Sequence, residues 1–166
     1  IIGVAGSGEH HHLGAALALG DGTKVNLFHS FSSYLSPVGY GALMGLLKNY
    51  DAVNQFVACT NDALNRLKPG FEAPVCVVTS LGKDEQTPSR NRTVLVGLIR
   101  DLEKPDATRF ELRAPSPHNN TYLVFASAYL AMLDGILAAL LAEKGEEALE
   151  KSISKSFGEE DFYLEK

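Results

Sequence analysis

Five consecutive residues, Arg109-Phe110-Glu111-Leu112-Arg113, alternate strictly between charged and apolar side chains. An extended strand sorts such a run onto two faces, because residues two apart share a face. Phe110 and Leu112 then turn toward a core, while Arg109, Glu111 and Arg113 turn away from it. A chain with this segment needs a sheet with an apolar layer behind it and a charged surface in front. The charged triplet is either an ion-pair ladder or a metal-ligating carboxylate beside two anion clamps, since the guanidinium fork pairs bidentately with carboxylate or phosphate.

Helices are expected to supply the layer behind. Residues 120–142 carry the longest helical pattern, and its interruption by Ser127 and Asp134 reads as a buried helix rather than a membrane span. Gly145 terminates it before a second, charged helix. Pro37 can open a helix at its first turn, and Leu43, Leu46, Leu47 and Tyr50 give an apolar face, which predicts a helix over 37–57. Strands are predicted over 75–79, 93–99 and 109–113, with a short one inside 3–13 after a glycine turn. Asp21-Gly22 marks a turn, 66–74 an ordered loop with two prolines, and 83–91 a polar loop. Strands and helices without regular βαβ alternation favour an α+β fold, an antiparallel sheet packed with helices.

The chain has 166 residues, 45% hydrophobic and 21% charged, the profile of one globular domain. Its net charge of -5 argues against a nucleic-acid or anionic-membrane surface. Against that background Arg90, Arg92, Arg100, Arg109 and Arg113 crowd together, which points to a confined anionic ligand. Cys59 and Cys76 have no CxxC spacing, so neither a metal knuckle nor a disulfide framework is expected, and a reducing cytoplasm is the expected setting. The absence of an initiator Met and the abrupt end suggest a piece of something longer.

Among the remaining candidates, His10 and His12 share a strand face and His11 points away. Two imidazoles side by side can take a metal or a phosphate, or be surface histidines without a role. Gly6-Ser7-Gly8 is a turn that a ligand could approach closely. Arg66 and Glu72 flank Pro69-Gly70, either as a solvated loop or as a lid over a reacting centre.

Taken together, five blocks resemble the glutamine synthetase family. Gly6-Ser7-Gly8-Glu9-His10-His11-His12 resembles its NGSGxHxH motif, and Asn65-Arg66-Leu67-Lys68-Pro69-Gly70-Phe71-Glu72-Ala73-Pro74 its KRLVPGxEAP segment. Arg90-Asn91-Arg92 is similar to RNRS, and Arg109-Phe110-Glu111-Leu112-Arg113 to RxEvR. Ser116-Pro117-His118-Asn119-Asn120-Thr121-Tyr122-Leu123, followed by Leu133-Asp134-Gly135-Ile136, resembles DPxxNPYL and LDGI.

The resemblance implies the C-terminal part of a catalytic domain, over 1–166, without the N-terminal domain and upstream catalytic half. It implies a homo-oligomeric, ATP- and Mg2+- or Mn2+-dependent ligase that forms glutamine from glutamate and ammonia through γ-glutamyl phosphate. By the same resemblance, His10 and Glu111 are metal ligands, and His12 and Arg109 contact ATP. Arg92 contacts ATP and steadies the transferring phosphoryl group, Arg66 and Arg113 clamp the substrate, Gly6 lines the amino-acid site, and Glu72 is the flap glutamate that takes a proton from ammonium. The chain departs from the pattern at Ala5, Gly14 and Gly97, where the family has asparagine, serine and a second phosphate-facing arginine, and its loop over 81–89 is longer. Arg90 and Arg100 are the candidates to replace the arginine missing at 97, Arg100 only through a one-residue bulge near Gly97. A γ-glutamyl-amine ligase, or a non-catalytic nucleotide- or amino-acid-binding homologue, is the alternative.

Overall fold

A computed structural model describes residues 6–155; Ala5 and the first residues of the strand expected within 3–13 lie outside them. The elements run β1 (His11–Leu13), β2 (Ala16–Ala18), β3 (Lys24–Asn26), α1 (Pro37–Lys48), α2 (Tyr50–Val57), β4 (Cys76–Ser80), β5 (Gly82–Asp84), β6 (Thr87–Pro88), β7 (Val94–Ile99), β8 (Arg109–Leu112), α3 (Thr121–Leu141) and α4 (Glu146–Ile153). The main sheet has the order β1-β8-β7-β4, and two small hairpins, β2-β3 and β5-β6, stand apart from it.

β8 runs antiparallel to both of its neighbours, as the sequence suggests for the sheet. β4, however, runs parallel to β7. A parallel neighbour needs a crossover of about a dozen residues, and the segment between β4 and β7, which holds the β5-β6 hairpin, has that length.

The register carries out the predicted sorting of β8. Phe110 and Leu112 are fully buried, together with Leu13 of β1 and Val96 and Leu98 of β7. Phe110 stacks on Phe28 with ring centroids 4.7 Å apart, which fills the layer directly behind the strand.

The helix expected over 37–57 is two helices. Ser36 caps α1 by accepting from the Gly39 amide, and Pro37 occupies the first turn, where its missing N–H costs nothing. Asn49 then breaks the run: its side-chain amide donates to the Gly45 carbonyl at 3.0 Å and to Asp134 at 3.2 Å. Asparagine competes with the helix for local backbone partners, and α2 starts again at Tyr50. Asn120 caps α3 through the amides of Tyr122 and Leu123.

α3 is long and apolar enough to cross a membrane by length and composition, with 39% of its most apolar window buried in the protein. Its buried stripe crosses α1 at glycines. A Cβ on Gly135 would land on the Gly41 carbonyl oxygen, and one on Gly45 would meet the Gly135 amide nitrogen at 2.7 Å. The two backbones touch here, so no side chain fits between them.

Arg66 ties the exit of β8 to the rest of the protein. Its buried guanidinium donates from Nη2 to the carbonyls of Arg113 (3.3 Å), Ala114 (2.7 Å) and Pro115 (3.1 Å). These acceptors have left the sheet ladder and need a donor that follows the chain around the turn.

Two stability measurements test this packing. By urea unfolding, Gly135→Ala is expected to cost about 1–3 kcal/mol through overpacking, whereas Gly20→Ala, in open space, should change stability by less than about 0.5 kcal/mol. Arg66→Ala should cost about 1–3 kcal/mol by orphaning the carbonyls of Arg113 and Ala114, while that of Pro115 keeps the Glu9 amide, and Arg66→Lys should not recover it fully, because an ammonium lacks the planar fork.

Candidate functional site

Opposite the core, the same register assembles a polar row. Across β1, β8 and β7, His12 faces Glu111 and Glu111 faces Gly97. Arg109 and Arg113 lie two residues to either side of Glu111 on its face. Beside this row lies a cleft of about 410 Å³, with His10, Glu111, Arg113 and Gly97 on its floor and wall and Arg90 and Arg92 from the 89–93 loop among its lining residues.

Glu111 is the centre of the polar row. The His10 ring donates from Nδ1 to Glu111 Oε1 at 2.8 Å, and Arg113 Nη1 donates to Glu111 Oε2 at 3.0 Å. Both carboxylate oxygens are therefore engaged. Burial pushes the Glu111 carboxyl up, but the charge and hydrogen bonds of Arg113 and His10 outweigh it, and the group is held below the usual carboxylate range. His10 moves down: burial disfavours its charged form, and Arg113 adds to that, against the opposing pull of Glu111. The site thus holds an ionised carboxylate beside a neutral imidazole, the protonation states in which these groups ligate metals.

A divalent cation is what the resemblance implies here, and the two donors suit one in part. His10 Nδ1 and Glu111 Oε1 lie 2.8 Å apart, and they could share an ion with ligand distances of about 2.0–2.2 Å once the proton of their hydrogen bond has moved to Nε2 and the metal has replaced that bond. Among the described residues, however, no group of three or more His, Cys, Asp and Glu side chains is arranged to hold a metal. Magnesium tolerates so small a protein shell, because waters and substrate phosphates complete its coordination.

The other candidates fall into distinct positions. Arg109 Nε donates to His12 Nδ1 at 2.9 Å, which fixes that nitrogen as an acceptor and pairs the two residues on one face beside Glu111. Arg92 Nη1 meets Glu72 Oε2 at 2.8 Å, with the two side chains 65% and 75% exposed. This solvated pair brings the proline-glycine loop to the cleft mouth. Arg113 Nε donates to the Arg92 carbonyl at 3.2 Å and so joins the strand to that loop.

Arg66 stands behind the cleft with its guanidinium on backbone carbonyls; burial, and after it the charge of Arg113, lower its pKa. Gly8 packs against it, since a Cβ there would come within 2.8 Å of Arg66 Nη1 and 3.1 Å of the His10 ring. Gly6 is exposed at the start of the described residues and is not among the residues that line the cleft. His11 points away as expected: it is buried, stacks on Phe125 at 5.0 Å and bonds Glu9 at 3.1 Å.

Arg100 does not compensate for Gly97. Its guanidinium donates to the carbonyls of Glu85 (2.9 Å) and Ser30 (3.1 Å), and β7 pairs with β8 without a bulge from Val96 to Ile99, so nothing turns Arg100 toward the cleft. Ser89 also lines the cleft. Nothing in the sequence marks it, because a serine in a polar loop carries no periodicity.

Comparisons with known proteins identify the family. The family model described as "Glutamine synthetase, catalytic domain" matches residues 1–160. Glutamine synthetase of Clostridium saccharobutylicum is 37% identical over 139 residues, 82% of this chain and 28% of that protein. Glutamine synthetase of Vibrio alginolyticus is 38% identical over 138 residues, 82% of this chain and 26% of that protein. The solved structure of Plasmodium falciparum glutamine synthetase superposes with a TM-score of 0.61 at 26% identity, over 80% of this chain and 23% of that one. The chain therefore spans about a quarter of the length of the relatives it matches. It belongs to the glutamine synthetase catalytic-domain family.

Proposed function

We propose that this chain forms the phosphoryl-transfer side of an ATP-dependent ligase that makes glutamine from glutamate and ammonia. The observation that carries the reading is Glu111, held ionised between His10 and Arg113 on the floor of an arginine-rimmed cleft in an acidic protein. The glutamate γ-carboxylate must lose an oxygen to become an amide, and oxide is not a viable leaving group. Attack of a carboxylate oxygen on the γ-phosphorus of ATP expels ADP and gives γ-glutamyl phosphate. Ammonia then attacks the acyl carbon, phosphate departs with that oxygen, and a base takes the surplus proton.

The residues divide this work. Arg92 neutralises the charge spread over the transferring phosphoryl oxygens. Arg113 fixes the acceptor carboxylate and the acyl phosphate, and Arg66, expected from the resemblance as a second clamp, instead holds the chain behind Arg113 through the carbonyls of residues 113–115. Arg109 and His12 orient the nucleotide, and the backbone at Gly6 borders the amino acid. His10 and Glu111 would hold Mg2+ or Mn2+, which when bound supplies positive charge to the phosphate oxygens. Glu72 closes the mouth against water and accepts the proton from ammonium. An exposed ion pair such as Arg92–Glu72 is worth about 1 kcal/mol or less, so an arriving substrate can separate the two at small cost.

The remaining metal donors are assigned to parts of the protein beyond the described residues. Homo-oligomeric assembly and a cytoplasmic setting belong to the same proposal, the latter supported by the free thiols of Cys59 and Cys76.

The test is glutamate- and ammonia-dependent phosphate release by the whole protein, measured across a magnesium titration. His10→Ala and Glu111→Ala should each raise the magnesium requirement about tenfold or more, and the double variant should lose less than the sum of the two free energies. The 166-residue chain alone should give no turnover. Strict additivity, or equal loss of rate at an unchanged magnesium requirement, would contradict a shared ion.

A further inference from the structure

The two imidazoles of the site ride on the least supported strand of the main sheet. β1 has 3 residues, lies at the edge of the sheet and pairs with β8 alone. It nonetheless carries His12 and, directly before it, His10, the partners of Arg109 and Glu111. A strand this short, bonded on one side, frays unless something else holds it.

α3 supplies the second hold. Thr121, Phe125 and Tyr129 follow one another at intervals of four residues, so they form one stripe on the helix. Thr121 Oγ1 donates to Glu9 Oε1 at 3.4 Å, the Phe125 ring stacks on the His11 ring at 5.0 Å with 22° between the planes, and the Tyr129 hydroxyl donates to the Gly14 carbonyl at 2.8 Å. Four helical residues advance about 6 Å and two strand residues about 6–7 Å, so a stripe of this spacing keeps pace with residues 9 and 11 and reaches 14 just past the strand.

The contact at His11 does more than fill space. His11 is buried, its Nε2 donates to Glu9 Oε1 at 3.1 Å, and its Nδ1 is buried without a hydrogen-bond partner. An unmet buried acceptor is a cost, offset here by the Glu9 bond and by flat packing on Phe125, which in turn stacks on Tyr129 at 6.3 Å. Side chains alternate along a strand, so holding His11 against the helix turns His10 and His12 toward the polar row.

We infer that the Thr121, Phe125 and Tyr129 stripe of α3 sets the position of β1 and, through it, of His10 and His12. Phe125 and Tyr129 are thereby positioning residues for the cleft. This rests on the proposed reading of His10 as a metal donor and His12 as a nucleotide contact.

The test uses the whole protein and measures amide exchange in the peptide covering residues 9–14, calorimetric Kd values for Mn2+ and for ATP, and the unfolding midpoint. Tyr129→Phe removes only the hydroxyl, and Phe125→Leu removes the ring face. Each should speed exchange over 9–14 and weaken Mn2+ and ATP binding about fivefold or more. Phe125→Tyr keeps the aromatic face and should bind both ligands within about twofold of the parent. Met132→Ala, a buried change on α3 outside the stripe, should lower the unfolding midpoint at least as far as the stripe variants while leaving both Kd values within about twofold. The inference is overturned if Tyr129→Phe and Phe125→Leu leave exchange over 9–14 unchanged, or if Met132→Ala weakens both ligands as much as they do. Faster exchange with unaltered Mn2+ and ATP binding would also overturn it and leave the proposed reaction standing. A parent protein that binds neither ligand, but whose 9–14 peptide loosens in the stripe variants, would sink the reading of the cleft and still support the hold of α3 on β1.

Discussion

β8 is hydrogen-bonded on both edges, to β1 and to β7, and its register with each neighbour decides every face of the molecule. A slip of one residue against those neighbours would push Arg109, Glu111 and Arg113 into the core and Phe110 and Leu112 into the cleft. Burying unpaired charges costs several kcal/mol each, and the stacked Phe28–Phe110 pair would be lost as well. The apolar side of the strand thus locks the polar side in place. Behind it, the close glycine crossing of α1 and α3 keeps the supporting layer thin and rigid, so the row His12, Glu111, Gly97 is presented by packed elements rather than by loops.

Within that frame, burial sorts four arginines into different kinds of work. Arg66 is buried and spends its donors on backbone carbonyls, so it behaves as part of the scaffold in this structure. Arg113 is buried and bonded to Glu111, which sets the charge of the site. Arg92 is solvated and paired with a loop glutamate, a contact weak enough to exchange for a ligand. Arg90 is exposed and uncommitted among the described residues. A chain with a net charge of -5 gains a locally positive cleft because three of these four residues reach it, Arg113 from just beyond the end of β8 and Arg90 and Arg92 from the 89–93 loop.

Much of this was legible in the sequence, for physical reasons that also explain what was not. Strict alternation exposed β8 and the face of Glu111, and period-two spacing separated His10 and His12 from His11. Pro37 marked the start of α1, though not its end, and the apolar pattern over 120–142 marked α3 to within a residue at each end. The break at Asn49 was hidden because it depends on Asp134, 85 positions away in the chain. The β2-β3 hairpin was hidden because Ala-Leu-Ala favours a helix by composition, so only its Asp21-Gly22 turn could be read. The parallel direction of β4 follows from the path of the connecting segment, which no local pattern encodes. The destinations of Arg66 and Arg100 are likewise set by carbonyls brought near through tertiary folding.

The central claim is chemical: this cleft serves transfer of a phosphoryl group onto a carboxylate oxygen that later leaves as phosphate. Isotope transfer tests it without reference to any single residue. The whole protein would be supplied with ATP, magnesium, ammonia and glutamate labelled with oxygen-18 in its γ-carboxylate, and the released phosphate analysed by mass spectrometry. The account predicts one labelled oxygen in each phosphate formed, because the bond broken last is the one between the acyl carbon and that oxygen. Phosphate released at the full rate with no label would mean that water attacks ATP directly, and would contradict the account.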